Sequence, residues 1–102
     1  MAEVVWTEPA LSDLDAIADH IALDKPSAAR DLVRRVFDHV ARLAEHPRSG
    51  SIPRELSGSR YRQVVEPPCR VFYRLAGKQV VVLHVMRSEQ RLRRSKLGRA
   101  ER

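Results

Sequence analysis

The chain has 102 residues, 43% hydrophobic and 31% charged, with a formal net charge of +6 and a pI of about 10.4, so it has room for one domain with one modest core. The lone Cys69 excludes an intramolecular disulfide, and the longest apolar run, Val80 to Met86, is broken by His84 and falls far short of the ~20 residues that cross a bilayer. With no signal-type segment at the start, the expectation is a cytoplasmic, reducing environment and no membrane insertion; the basic pI points to an anionic partner.

Charge is divided unevenly along the chain. Residues 1–50 carry six Lys/Arg against nine Asp/Glu, and residues 51–102 carry thirteen against four. The second half therefore holds the candidate surface for oxyanions, because Arg is permanently charged and its planar fork grips an oxyanion pair bidentately.

In chain order, Ala2 to Trp6 reads as a short strand, and Thr7 reads as a helix N-cap with Glu8 and Pro9 in the first turn. Ala10, Leu14, Ile17 and Ile21 recur at helical spacing, with Asp13, Asp15, Asp19 and His20 assigned to the opposite face. The first helix ends near Leu23, since Lys25-Pro26 disfavours helical ψ before the proline. Pro26 opens a second helix with Ala29, Val33, Val36, Val40 and Leu43 on its apolar stripe, widened by Leu32, Phe37 and Ala44. Asp31 with Arg34 or Arg35, and Asp38 with Arg42, are spaced as helical ion pairs. Pro47 and Gly50 end this helix, so the two helices form an antiparallel hairpin.

Arg48 to Ser59 reads as a loop. Three strands follow, Arg60 to Val65, Arg70 to Leu75 and Gln79 to Arg87, separated by Pro67-Pro68 and Ala76-Gly77-Lys78, lengths that favour antiparallel neighbours. Ser88-Glu89 is placed at the start of a short terminal helix with Leu92 and Leu97 to dock it. The predicted class is α+β, in the order β-α-α-β-β-β, with the helical hairpin on one face of a three-stranded antiparallel sheet and a short basic C-terminal helix or tail.

Trp6-Thr7, Ala10, Asp13-Leu14, Ile17, Ile21, Pro26 with Ala28-Ala29, Gly50, Arg70-Val71-Phe72-Tyr73-Arg74 and the run Val80 to Arg87 together resemble the RelE/ParE toxin superfamily, over roughly residues 4 to 92. The resemblance implies a toxin of a bacterial type II toxin–antitoxin system with a single domain, set at residues 1–97; the basic residues 98–102 are expected to be a disordered tail. RelE-like members are ribosome-dependent mRNA endonucleases that work without a metal; ParE-like members poison DNA gyrase by binding it. Cleavage of RNA needs a general base, a general acid and a cation beside the scissile phosphate. No Tyr or His follows His84, and Arg54 in the loop before the sheet stays protonated at neutral pH. The residues thus favour gyrase binding without catalysis, with neutralisation by a cognate ParD-like antitoxin.

On that reading the target-binding residues are Arg70, Arg74, Arg87, Arg91, Arg93 and Arg94, taken as exposed. Arg60, Arg62, Leu14, Ile17 and Ile21 meet the antitoxin, without which the toxin self-associates or dissolves poorly. The alternative ribonuclease would use Arg70, His84 and Arg87. Arg60 and Arg62 join Arg70 and Arg74 in one basic sheet face if the strand registers agree. Tyr73 is assigned to the core with Val71 and Leu75, and Cys69 to an inert turn. No cofactor or metal is expected, because His20, His39, His46 and His84 lack ligand spacing.

Overall fold

Helical and two-residue periodicities resolve, in the computed structural model describing residues 1–101, into one four-stranded sheet with helices on both faces. The elements are β1 (Glu3–Trp6), α1 (Glu8–Ala22), α2 (Pro26–Ala41), β2 (Arg62–Glu66), β3 (Cys69–Ala76), β4 (Gln79–Arg87) and α3 (Arg94–Ala100), with 3-10 turns at Arg42–Ala44 and Arg54–Leu56. Strand order is β1-β4-β3-β2. The strands β2, β3 and β4 pair antiparallel as expected, while β1 lies parallel to β4, with Trp6 opposite Val82. The N-terminal strand is thus part of the same sheet. No helix among the described residues is long and apolar enough to cross a membrane.

Thr7 joins the first strand to the first helix. Its Oγ1 accepts the Ala10 N–H at 3.3 Å, as an N-cap should, and donates to the Val82 carbonyl at 2.7 Å. The apolar stripe of α1 then lies on the sheet, with Ala10 and Leu14 in the main core and Ile17 and Ile21 at its margin. From α2, Ala29, Leu32, Val36 and Val40 are buried, whereas Phe37 sits half out of the core against Trp6, ring centroids 4.8 Å apart. The acid–base pairs expected along α2 do not form among the described residues; Arg35 reaches Glu66 on β2 instead.

Tyr73 is fully buried on the hairpin face with Val71, its hydroxyl donating to the Pro47 carbonyl at 2.8 Å and accepting the Gly50 N–H at 3.0 Å. Gly50 has no room for a side chain, since an added Cβ would lie 2.5 Å from that hydroxyl and 2.6 Å from the Gln63 carbonyl. The β3–β4 turn uses Gly77 at φ +58°, a conformation that favours glycine.

The opposite sheet face is not open. Phe72, Leu83 and Met86 pack under Leu56, Leu92 and Leu97 in a second core. A bulge makes this face wider: Phe72 pairs with His84 and Tyr73 with Val82, so Leu83 is an extra residue, and both Leu83 and His84 pack against Phe72. Leu92 docks first, its N–H donating to Glu55 at 3.2 Å, and Arg93 stays extended at φ −113°. The terminal helix consequently begins at Arg94 rather than near Ser88. Residues expected to be disordered after 97 continue that helix to Ala100, and Glu101 is held by three side chains; Arg102 lies outside the described residues.

Candidate binding site

On the outer sheet face Arg70, Phe72 and His84 form a ladder. The Arg70 guanidinium lies 4.9 Å from the Phe72 ring centroid, and the His84 ring stacks on Phe72 at 5.7 Å. Arg70 is only 9% exposed. Its two terminal nitrogens donate to the two Glu55 oxygens, each at 2.9 Å, its Nε donates to Gln63 at 2.9 Å, and a further bond reaches the Gln90 carbonyl at 3.3 Å. Such bidentate pairing is strong and directional. The Arg70 guanidinium, helped by the Leu92 N–H and its own backbone and opposed by partial burial, holds the Glu55 carboxyl down at about 2. Arg70 therefore stitches the 54–56 turn to the 90–92 crossing, and the expectation of an exposed Arg70 is corrected.

A second knot forms where β1 ends at Trp6 and leaves the distal half of β4 beside α1. Asp13 accepts the Val85 N–H at 3.2 Å, the His84 Nδ1 at 2.6 Å and the Arg99 Nη2 at 2.5 Å. Burial alone would raise the Asp13 carboxyl, but the bonds from His84, Arg99 and Val85 together hold it below its ordinary value. An ionised carboxylate only accepts, so His84 carries its proton on Nδ1, and the 3.1 Å approach of Arg99 to that nitrogen is a contact without a shared proton. The expectation of a solvent-facing Asp13 is corrected: one helical turn after Ala10 and one before Ile17, it lies on the flank of the apolar stripe, which is the signal that places it against β4.

Glu101 completes the set, accepting from Arg74 at 2.6 Å, from the Tyr61 hydroxyl at 3.1 Å and from Arg60 at 3.5 Å. Arg87 pairs with Glu89 at 2.7 Å. The single basic sheet face does not form. Register puts Arg62 opposite Tyr73, on the hairpin side, where it donates to the Arg48 and Gly50 carbonyls, while Arg70 and Arg74 point to the other side. Leu14, expected to meet a partner, is 2% exposed because it sits one helical turn after Ala10 over β4. Ile17 and Ile21 are half-buried. Cys69 is fully buried, and burial pushes its thiol pKa up.

What remains open lies around residue 91. Arg91, Arg93, Arg94 and Lys96 are exposed, and none of them, nor Arg54, has a carboxylate partner among the described residues. Two clefts adjoin there, sharing Gln90 and Arg91. The first, about 640 Å³, runs from Arg54 past Arg70 to Ser88. The second, about 670 Å³, is lined by Asp13 and His84 together with Arg93 and Lys96, and by apolar Ile17, Val85 and Met86. Glu55, Glu101 and the partnership of Asp13 with Arg99 were not legible in the sequence, since each joins segments more than twenty residues apart or carries no local motif.

A family model described as the ParE toxin of the type II toxin–antitoxin system parDE matches residues 4–92. The chain is 37% identical over 86 residues to Toxin RelE2 of Caulobacter vibrioides, covering 83% of this chain and 93% of the relative. It is 36% identical over 85 residues to the putative toxin Y4kP of Sinorhizobium fredii, covering 83% and 86%. A solved structure described as the chromosomal ParDE TA system from P. aeruginosa superposes with a TM-score of 0.73 at 31% identity, covering 87% of this chain and 98% of the other.

Proposed function

We propose a function from one premise: this chain belongs to the ParE toxin family of type II toxin–antitoxin systems. It is a toxin of that class. On our reading it arrests growth from the cytoplasm by binding DNA gyrase and prolonging the cleaved-DNA state, and a cognate antitoxin neutralises it. The carrying observation is the fate of Arg70. The strand arginine that a ribonuclease would aim at a scissile phosphate is buried and spends its fork on Glu55, with Gln63 and Gln90 taking further bonds. What stays exposed is a binding surface of Arg91, Arg93 and Arg94.

The antitoxin's seat is the opposite side of the molecule. Trp6, Val33, Phe37 and Ile21 leave apolar area on the hairpin and its flank, which suits the apolar face of a segment that folds on binding. Phe37→Asp is expected to weaken capture of the antitoxin while leaving free-toxin activity intact, measured by co-purification and by growth.

The test of the gyrase reading mixes antitoxin-free protein with gyrase, ATP and relaxed plasmid. Loss of supercoiling with accumulated linear DNA is the expected result; unaltered gyrase activity with folded protein would remove the reading. One observation favours the ribonuclease alternative: His84, paired to Asp13, borders the second cleft. There His84 would move the proton, and cleavage of mRNA on programmed ribosomes, abolished by His84→Ala, would establish it.

A further inference from the structure

We propose that the protein also contacts duplex DNA directly, gripping backbone phosphates along a cationic track formed by Arg54, Arg91, Arg93 and Lys96 where the two clefts adjoin. The cations of the outer sheet face are neutralised within the chain: Arg70 by Glu55, Arg74 by Glu101, Arg87 by Glu89 and Arg99 by Asp13. The same pairs silence the carboxylates that border the clefts, so Glu55, Glu89 and Asp13 do not set a net negative field against the unpaired cations.

The track is also held in place. Buried Arg70 binds Glu55, the neighbour of Arg54, and the Gln90 carbonyl, the neighbour of Arg91; Glu55 in turn holds the Leu92 N–H. Two distant segments are thereby tied together at one cleft, which the Arg54 and Arg91 side chains both line. The planar fork of Arg also loses less freedom per hydrogen bond formed than a Lys ammonium does.

Phosphates fit this surface better than an acidic peptide. The first cleft is lined by polar and charged side chains alone, and of the apolar residues lining the second, Val85 and Met86 are buried, so little apolar area is offered to an amphipathic peptide, whose larger anchors lie on the hairpin. Duplex fits better than single strands, which are held by bases stacked on aromatic rings. Beside the clefts, Phe72 is fully buried and the Tyr61 hydroxyl is occupied by Glu101; Tyr73 and the Trp6–Phe37 pair lie on the hairpin side.

The experiment needs no gyrase, so its failure and that of the gyrase reading are separable. The full chain, free of antitoxin, is titrated against a short fluorescein-labelled DNA duplex over a range of salt concentrations. Affinity is expected to fall with salt at a log–log slope of about −0.9 per phosphate engaged, reaching about −3 to −4 for four contacts. Arg91→Glu and Arg93→Glu should each weaken binding by about tenfold and flatten the slope by about one. Arg30→Glu and Arg34→Glu change net charge equally but lie on α2, which lines neither cleft; they should weaken it by less than about twofold. Equal weakening by both sets would overturn the proposal in favour of diffuse charge. So would tighter binding of a single-stranded RNA of matched length, or displacement of the duplex by poly-glutamate at matched charge.

Discussion

Arg70 and Glu55 act as a structural rivet, and their removal should be felt in stability before function. Arg70→Ala leaves Glu55 without its partner and strips the 90–92 crossing of a tie, a loss of about 2 kcal/mol expected from a mostly buried charged pair; a urea midpoint measures it. The sign of the pH dependence follows from Glu55. Its folded pKa, about 2, lies below the ordinary 4.5, so its contribution is fully present above ~4.5 and is lost as pH falls towards 2. Asp13, also lowered, acts in the same direction. Glu55→Gln should therefore flatten the acid limb of a stability–pH curve. Gly50→Ala should cost about 2 kcal/mol, because the new Cβ meets a hydroxyl and a carbonyl that are both fixed. Cys69, buried with a raised pKa, should resist iodoacetamide at neutral pH until the protein unfolds.

The terminal helix illustrates how little sequence an element needs when its anchors are right. Seven residues are too few to be helical alone, and α3 exists because Leu92 and Leu97 fill the space over Phe72, Leu83 and Met86 while Arg99 and Glu101 are tied to Asp13 and Arg74. Leu97→Ala should destabilise by about 2 kcal/mol, readable as a shift in thermal midpoint. Ending the chain after Arg91 would bare the second core, with increased binding of a hydrophobic dye as the measurement. The hairpin differs: its stability comes from the long, regular stripes of α1 and α2 against the sheet, which tolerate loss of any one surface ion pair.

At the scale of the whole molecule, the two sheet faces separate two kinds of chemistry, apolar area on the hairpin and unpaired cations around Arg91. Antitoxin capture and target engagement should accordingly be separable by mutation. Phe37→Asp is expected to impair the first alone and Arg91→Glu the second alone, compared through co-purification with antitoxin and growth arrest. The element order, the hairpin, the N-cap at Thr7 and the inward turn of Tyr73 were legible in the amino-acid order, because capping and periodicity act over a few residues. The chain also carries the family resemblance, through the joint order of short motifs. Long-range packing instead set the burial of Arg70, the turning of Arg62 away from it, the meeting of Asp13 with His84 and Arg99, and the cover that residues 92–101 form over the second core. Those outcomes depend on strand register, on a bulge at Leu83 and on carboxylates brought from distant segments, none of which local pattern encodes.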